Sequence, residues 1–365
     1  MRLVYLGYLG VNNIGDEVCY EAFLQAIKKW SNGAHTVFPF PFMSKKTLKD
    51  YYKIKPFDGV ILGGGSLLQG NVFIDLALEA IDMKLPLYCY GTGIDYFSEE
   101  TVASFQKNTF AFNGSTFHNK PLDRQKIKKI VEYATFTGLR GPLTLEYIRT
   151  LQAASLRYAV IGDSGMVFTP PKTNYIESKY LQSNTKKKWI AVNWGTTKNV
   201  LFGYNEAQVK EQLVKSCEYL QKLGYLLVIF PMWDKDQPEC KTLHQRLTKS
   251  GEAVLIPEVC TASQIYHFLA RCEFSINLKL HANVLSASSG TPFIQLAYRS
   301  KGVDFAASIQ QLEYTILTST TSLLSFVKEK EPIIRSSANL ASLKIEKEKI
   351  IQQHQQFIAA IYRSN

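Results

Sequence analysis

The chain has 365 residues, of which 46% are hydrophobic and 20% are charged, and its formal net charge is +11 at pH 7. This composition excludes an intrinsically disordered chain and leaves room for two domains, each with its own hydrophobic core. Lysine and arginine are scattered and no nucleic-acid-recognition motif accompanies them. The charge therefore favours anionic substrates or an anionic membrane surface over nucleic acid.

The six cysteines show no CxxC pair and no metal-ligand spacing, and several lie in apolar runs. We therefore expect reduced core cysteines and no bound metal. The N-terminus lacks the apolar stretch of a signal peptide, and no apolar run approaches the roughly 18 residues that span a bilayer. These features predict a cytoplasmic protein. Peripheral contact with the inner face of an anionic membrane and the oligomeric state are left open.

The chain opens with a predicted strand at residues 3–7, a glycine-rich turn, and a predicted helix at 18–30. This layout suits phosphate binding, because glycines let the backbone approach an anion that the helix N-terminus attracts. Asp16 and Glu17 at the helix start suit either acid–base chemistry or helix capping, and both explanations stay open. The candidate site residues of this turn are Asn13, Gly15, Asp16 and Glu17.

Two later strands of the first half, at 58–62 and 86–90, also end in glycine-rich loops. The carboxyl ends of parallel strands lie at one edge of a sheet, where ligands bind in open α/β sheets. A tight turn without a ligand is the alternative for the triple glycine. The candidate ligand contacts of this loop are Gly64, Gly65 and Ser66.

Residues 134–140 predict another strand, and Arg140 stands at its end, followed by a helix that starts at Pro142. An arginine in this position suits an anionic ligand. A surface ion pair with Glu146 is the alternative explanation.

A polar stretch at 171–188 predicts a linker between a first domain at 1–170 and a second at 189–335. Residues 336–365 predict a terminal helix that is long enough to return across the first domain. Strands alternate with helices in both domains, so the sheets should be parallel. The sequence therefore predicts an α/β protein with two Rossmann-like domains and an active site in the cleft between them.

The segment 277–292 carries the strongest functional signal. A predicted strand leads into Lys279 and His281, which stand at the start of a helix of small residues that Gly290 ends. A cation, an imidazole and a helix N-terminus suit a small anion to which a proton must be moved. Other strand-end residues of the second half join them as candidate substrate contacts: Asn193, Tyr298 and Lys301.

Several motifs together resemble the polysaccharide pyruvyl transferase family. They are Gly7–Glu17, Gly63–Gln69, Thr137–Leu145, Gly162-Asp163, Lys279-Leu280-His281, Gly290-Thr291-Pro292 and Tyr298-Arg299-Ser300-Lys301. The resemblance implies a glycosyltransferase-B-like (GT-B-like) pair of domains. It also implies transfer of pyruvate from phosphoenolpyruvate to a sugar of a cell-surface polysaccharide or its precursor, as a ketal, with release of phosphate. The acceptor would be lipid-linked or a polymer repeat unit. No cofactor is expected, since phosphoenolpyruvate is the donor substrate.

One departure from the family pattern affects the donor. The family commonly has Arg-Leu-His where this chain has Lys-Leu-His, so Lys279 keeps the charge and loses the bidentate fork. We expect Lys279, Lys301 and Arg140 to neutralise the donor and His281 to carry protons. Asp16 or Glu17 would act on an acceptor hydroxyl.

Two other functions fit the same sequence. The first is a GT-B glycosyltransferase that uses a nucleotide sugar, with Asp236 or Glu258 holding the ribose hydroxyls. The second is a non-catalytic protein that binds a sugar or a nucleotide, against which intact Arg140 and His281 argue.

Overall fold

The computed structural model describes residues 1–31, 33–41, 43, 46–70, 72–154, 157–182 and 186–363. Within these ranges the chain forms two parallel six-stranded sheets with helices between the strands. This confirms the predicted α/β class with two Rossmann-like units.

The first sheet has the strand order β2-β1-β3-β4-β5-β6. Its strands are β1 (Arg2–Leu6), β2 (Thr36–Pro39), β3 (Gly59–Leu62), β4 (Leu87–Thr92), β5 (Phe136–Leu139) and β6 (Tyr158–Val160). Its helices are α1 (Ile14–Trp30), α2 (Leu48–Ile54), α3 (Val72–Asp82), α4 (Glu99–Gln106), α5 (Arg124–Tyr133) and α6 (Pro142–Thr150). The order reverses between β1 and β3, so the loops that follow these strands open a crevice, the usual ligand position in such a sheet.

The second sheet has the order β12-β11-β10-β7-β8-β9. Its strands are β7 (Trp189–Asn193), β8 (Leu226–Phe230), β9 (Ala253–Leu255), β10 (Phe274–Asn277), β11 (Phe293–Ala297) and β12 (Thr315–Leu317). Its helices are α7 (Glu206–Lys222), α8 (Gln237–Leu247), α9 (Ala262–Leu269), α10 (Leu280–Ser289), α11 (Ser300–Ser308) and α12 (Leu323–Lys330). Here the order reverses between β7 and β10, and Asn193 pairs with Asn277 in register at that point.

The two crevices meet. The backbone N–H of Ile14 donates to the carbonyl of Met232 at 3.4 Å, and the indole of Trp233 donates to the carbonyl of Val11 at 3.0 Å. On the other side of the cleft, the N–H of Lys301 donates to Asp95 at 3.1 Å. The carboxyl edges of both sheets therefore border one cleft.

The terminal helix α13 (Ser337–Arg363) packs against α1 and β5. Phe357 contacts the rings of Tyr90 and Phe136, with centroids 5.1 Å apart in both pairs. Nδ1 of His354 lies 2.6 Å from the Tyr90 hydroxyl, and burial lowers the pKa of His354 to about 3, so the ring is neutral at pH 7. The last helix thus completes the core of the first half.

Four helices that the sequence analysis did not predict are α2, α4, α8 and α11. All are 11 residues or shorter, so their apolar periodicity is brief, and α11 carries Gly302 in its interior. Residues 105–119 are largely irregular and end in the 3₁₀ turn Phe117–Asn119. The predicted linker contains a helical turn at Glu177–Leu181 and includes residues 183–185, which lie outside the described ranges.

All six cysteines are buried and free. None of the described helices is long and apolar enough to cross a membrane.

We expect Phe357→Ala to lower the free energy of unfolding by about 3–5 kcal/mol, because Phe357 is only 1% exposed and the truncation leaves a cavity under α13. Ile345→Ala on the same helix is the matched control. Its side chain is 51% exposed, so the expected change is within about 0.5 kcal/mol. Urea denaturation followed by circular dichroism measures both, and similar small losses would contradict the packing of α13 described here.

Candidate active site

The cleft between the two sheets encloses about 430 Å³. Among the described residues that line it, one is acidic, the buried Asp236, and the cations outnumber this acid. The basic residues that line the cleft are Lys198, Lys235, Lys279, Arg299 and Lys301. Such a surplus of positive charge in a concave site attracts a ligand with several negative charges.

His281 lies in the first turn of α10, where Lys279 is the N-cap residue. Its Nε2 atom lies 3.3 Å from Sγ of Cys19 and 3.9 Å from Oδ2 of Asp163. Its Nδ1 atom lies against the backbone of Gly15, since a Cβ atom placed there would be only 2.0 Å away. The imidazole is thus held between the second half of the chain and α1, and Gly15 provides the space for it.

Burial lowers the pKa of His281 to about 4; Asp163 opposes this shift, and the charges of Lys301 and Arg140 add to it. The imidazole is therefore neutral at pH 7. The Asp163 carboxylate faces Nε2, so it favours the tautomer that carries the proton on Nε2.

Cys19, Asp163 and His281 place one ligand atom each within 4.8 Å of one another, a spacing that a metal ion could bridge. Burial together with the charge of Asp163 raises the pKa of Cys19 well above its ordinary value, so the thiol beside the imidazole is protonated at neutral pH. Cys19 and Asp163 thus provide polar contacts for the imidazole.

Lys279 faces the cleft with its charge partly compensated. Its Nζ atom lies 3.0 Å from Oδ1 of Asp236 and donates to the carbonyl of Thr196 at 2.7 Å. Its backbone N–H donates at 3.0 Å to Asn193, a fully buried side chain that orients this turn and does not line the cleft. Asn193 therefore positions Lys279.

Tyr298 follows β11 and lines the cleft between two cations, with Lys301 and Arg299 at 5.0 and 5.1 Å from its ring centroid. Burial alone would raise its pKa, but Lys301, Arg299 and Lys279 outweigh burial and lower the pKa of Tyr298 to about 8. Asp95 holds both flanking cations, at 3.0 Å from Arg299 and 3.5 Å from Lys301.

Asp16 is half-buried and lies beside the glycine loop, since a Cβ atom at Gly65 would be 3.5 Å from its Oδ1. The side chain of Asn13 donates to Asp16 at 2.5 Å. Burial raises the pKa of Asp16 to about 7; Lys301 opposes the rise, while Glu17 and Asp163 add to it. Asp16 is thus a carboxyl group that titrates near neutrality, as an acid–base catalyst must.

Glu17 has a different position from Asp16. Its carboxylate accepts the backbone N–H of Gly10 at 2.7 Å and so closes the glycine-rich turn. The alternative of the sequence analysis was helix capping, but the N-cap of α1 is Asn13, whose side chain accepts the Gly15 N–H, and Glu17 stabilises the turn instead.

Arg140 is not on the cleft surface, contrary to its predicted position. It is fully buried, lies 3.4 Å from the buried carboxylate of Asp304, and donates to Ser66 and to the carbonyl of Ile94. Its charge acts on His281 at a distance. The alternative partner Glu146 is paired with Arg149 instead.

The triple glycine serves packing. A Cβ atom at Gly63 would overlap the Tyr5 ring at 2.0 Å, and the Gly64 N–H donates to the Tyr5 hydroxyl at 2.9 Å. Gly65 has φ +100°, which a residue with a side chain adopts only under strain. The Gly64 N–H is thus already engaged, while Gly65 provides the left-handed backbone conformation of the loop beside Asp16.

The structure therefore brings some of the predicted site residues together on the cleft and keeps others behind it. On its surface lie Asn13, Lys279, His281, Tyr298 and Lys301. The sequence analysis did not single out Cys19, Asp95, Lys198, Trp233 or Lys235, because no motif marks them. Arg299, which stands in the motif Tyr298-Arg299-Ser300-Lys301, and Lys235, in the loop after β8, could have been found as charged residues at the strand-end edge of the sheet.

A family model described as polysaccharide pyruvyl transferase matches residues 13–300. The chain belongs to this family. The match confirms the resemblance and covers every residue on the cleft surface except Lys301, which follows its last position directly. No curated protein matches the sequence.

Solved structures with the same fold include enzymes of nucleotide-sugar chemistry. The UDP-bound MnaA of S. aureus has 11% identity and a TM-score of 0.59, over 94% of this chain and 90% of its own. UDP-GlcNAc 2-epimerase from Neisseria meningitidis, bound to UDP-GlcNAc, has 10% identity and a TM-score of 0.59 over all of both chains. The Methanocaldococcus jannaschii UDP-GlcNAc 2-epimerase in complex with UDP-GlcNAc and UDP has 11% identity and a TM-score of 0.56, over 94% of this chain and 98% of its own. These likenesses confirm the GT-B-like arrangement.

We expect Asp16→Asn to raise the melting temperature, and to raise it more at pH 8 than at pH 5. The folded-state pKa of Asp16 is raised to about 7, so folding favours the protonated carboxyl and the wild type loses stability as the pH rises through 7. The neutral amide avoids this loss. Differential scanning fluorimetry of the wild type and the variant at the two pH values measures the difference in melting temperature.

Asp50→Asn is the control for this pH dependence. Asp50 is exposed and its pKa is lowered by the hydroxyl of Thr47 and by Lys53, so the substitution should slightly lower stability at neutral pH. A gain for Asp16→Asn that is equal at both pH values would show that Asp16 titrates normally.

Proposed function

We propose that this protein transfers pyruvate from phosphoenolpyruvate to two hydroxyls of one sugar in a cell-surface polysaccharide or its precursor. The product is a cyclic pyruvate ketal, and phosphate is released. The observation that carries the proposal is the set of cations around His281 in a cleft whose sequence belongs to the pyruvyl transferase family.

Phosphoenolpyruvate carries a carboxylate and a phosphate, and both must be neutralised inside the cleft. Lys279 and Lys301 flank His281, and Arg299 stands beside them on the α11 side. Lys279 serves as a point charge where the family commonly has arginine, which suits a phosphate oxygen better than a bidentate carboxylate. The N-terminus of α10 adds backbone donors directed at the same place.

The chemistry requires one proton delivered and two removed. Protonation of the methylene carbon makes the neighbouring carbon electrophilic, and the first sugar hydroxyl adds to it and loses its proton. The C–O bond to phosphate then breaks, and the second hydroxyl adds and loses its proton. Of the two hydroxyl protons, one balances the proton consumed at carbon and the other leaves on phosphate.

His281 is our candidate for the proton donor to carbon. Burial lowers its pKa to about 4, and the charges of Lys301 and Arg140 further disfavour the cation. A donor with three negative charges offsets these cations and favours imidazolium, so donor binding itself should charge the acid. Asp16, which titrates near pH 7, is our candidate for the base that takes a hydroxyl proton.

The nucleotide-sugar alternative needs a carboxylate for the ribose hydroxyls. Asp236 is paired with Lys279. Glu258 accepts hydrogen bonds from Tyr175 and Tyr180 and pairs with Lys179. Both carboxylates proposed for that role thus have partners within the protein, which favours pyruvyl transfer.

We expect phosphoenolpyruvate to raise the melting temperature of the wild type, and Lys279→Ala to weaken its binding about tenfold or more. Lys126→Ala, which removes an exposed lysine paired with Asp75, should leave binding unchanged. Stabilisation by UDP- or GDP-sugars, with no response to phosphoenolpyruvate and no phosphate release when it is added, would favour the glycosyltransferase alternative.

We expect His281→Asn to retain phosphoenolpyruvate binding and to lower acceptor-dependent phosphate release by about 10²–10⁴-fold, the usual loss for a general acid or base. A colorimetric phosphate assay measures turnover, and fluorimetry measures binding. Unchanged turnover would remove His281 from the proposed mechanism.

We expect kcat, measured at saturating phosphoenolpyruvate so that the bound donor already charges His281, to rise with pH to a limb near 7, and kcat/KM to fall above a second limb near 8. The first limb is the loss of a proton from Asp16, which must be a carboxylate to act as a base. The second is ionisation of Tyr298, since a phenolate repels the donor phosphate. Asp16→Asn should remove the acid limb together with most activity, and Tyr298→Phe should remove only the alkaline limb. A limb that persists in the corresponding variant would show that another group titrates there.

A further inference from the structure

A second pocket of about 480 Å³ adjoins the cationic cleft and shares Asn13, Trp233 and Lys235 with it. Its character differs from that of the cleft. Two aromatic rings, Tyr8 and Trp233, and two carboxyl groups, Asp16 and Asp234, line it. Its volume is within the range of about 300–1,000 Å³ that is typical of small-molecule sites.

The tryptophan of this aromatic pocket is held in place before any ligand arrives. Its indole N–H donates to the carbonyl of Val11 at 3.0 Å, and its backbone forms an antiparallel bridge with Asn13. Nζ of Lys235 lies 4.2 Å from the ring centroid. The ring remains partly exposed, so it presents an oriented apolar surface beside the cleft.

The polar groups of the pocket suit hydroxyl groups. Asp234 is exposed and accepts a hydrogen bond from Asn12 at 2.9 Å, which leaves further acceptor capacity on its carboxylate. Asp16 stands at the boundary with the donor cleft. Two carboxyl groups disfavour an anionic headgroup or a phosphate, which separates this pocket from the cationic cleft.

A pyranose ring is complementary to these walls. Its C–H faces are apolar and pack on aromatic rings, while its rim of hydroxyls donates to carboxylates. We propose that the aromatic pocket binds the acceptor as an uncharged pyranose ring, stacked on Trp233, with the hydroxyls that receive pyruvate directed towards Asp16. This inference rests on the proposed function, since it assigns the donor to the cationic cleft and the acceptor to the adjoining pocket.

Trp233 also reports on its own pocket. We would titrate the protein with uncharged methyl glycosides (α-mannoside, β-galactoside, β-glucoside and N-acetyl-β-glucosaminide) and follow tryptophan fluorescence. We expect a saturable change with at least one glycoside. The change should disappear in Trp233→Phe and persist in Trp30→Phe, a matched control because Trp30 is also partly exposed with a lysine over its ring.

Tyr8→Ala, with Trp233 retained as the reporter, should weaken glycoside binding at least tenfold. Tyr204→Ala is its matched control: Tyr204 is 48% exposed and lines another pocket, so affinity should be unchanged. No saturable change with any glycoside, or a change that is lost in Trp30→Phe and kept in Trp233→Phe, would overturn the proposal.

The same samples separate this inference from the proposed function. A glycoside response without stabilisation by phosphoenolpyruvate would support the sugar pocket and contradict pyruvyl transfer. Stabilisation by phosphoenolpyruvate without any glycoside response would support pyruvyl transfer and contradict the sugar pocket. With an acceptor that turns over, Trp233→Phe should raise the KM for the acceptor and leave the KM for phosphoenolpyruvate unchanged; a rise in both would overturn the division of the cleft.

Discussion

The contact between the His281 ring and the backbone of Gly15 is the constraint on which the rest of the site depends. It requires α10 of the second half to approach α1 of the first half so closely that no Cβ atom fits between them. This approach brings the imidazole to Cys19 and Asp163 and places it beside the cations that follow β10 and β11. The site is therefore formed only when the two halves of the chain pack against each other.

The close approach also explains why charges are buried at the interface. Arg140 of the first half and Asp304 of the second are both fully buried and form an ion pair, and Thr144 adds hydrogen bonds to the same carboxylate. Removing one member of such a pair leaves an uncompensated buried charge, which is strongly destabilising. The pair thus joins the two crevices, and the charge of its arginine adds to the burial that keeps His281 neutral.

Polarity divides the cleft into regions with different chemistry. Three of the five cleft cations, Lys279, Arg299 and Lys301, follow β10 and β11. Aromatic rings and carboxyl groups lie, together with Lys235, where the turn after β1 meets the turn after β8. Asp16 and His281 stand near the boundary, and burial shifts the pKa of Asp16 up to about 7 and that of His281 down to about 4. Burial thus favours the neutral form of both groups, so the proposed roles require the bound donor to charge His281.

Local sequence determined the alternation of strands and helices, the parallel sheets and the position of Lys279 and His281 at a strand end. These features depend on apolar periodicity, glycine and proline positions and capping, which act over a few residues. The family motifs supplied the transferase assignment. The short helices α2, α4, α8 and α11 were missed because their periodic signal is brief.

Only the tertiary structure decided which of the candidate residues face the ligand. Arg140 and Lys279 both follow strands and look equivalent in the sequence. Arg140, however, is buried against Asp304, which lies 164 positions further along the chain, whereas Lys279 lines the cleft. Likewise Asp16 and Glu17 are neighbours, but one titrates beside Gly65 and the other closes a turn. Partners distant in the chain set burial and charge, and burial and charge determine what each side chain can do.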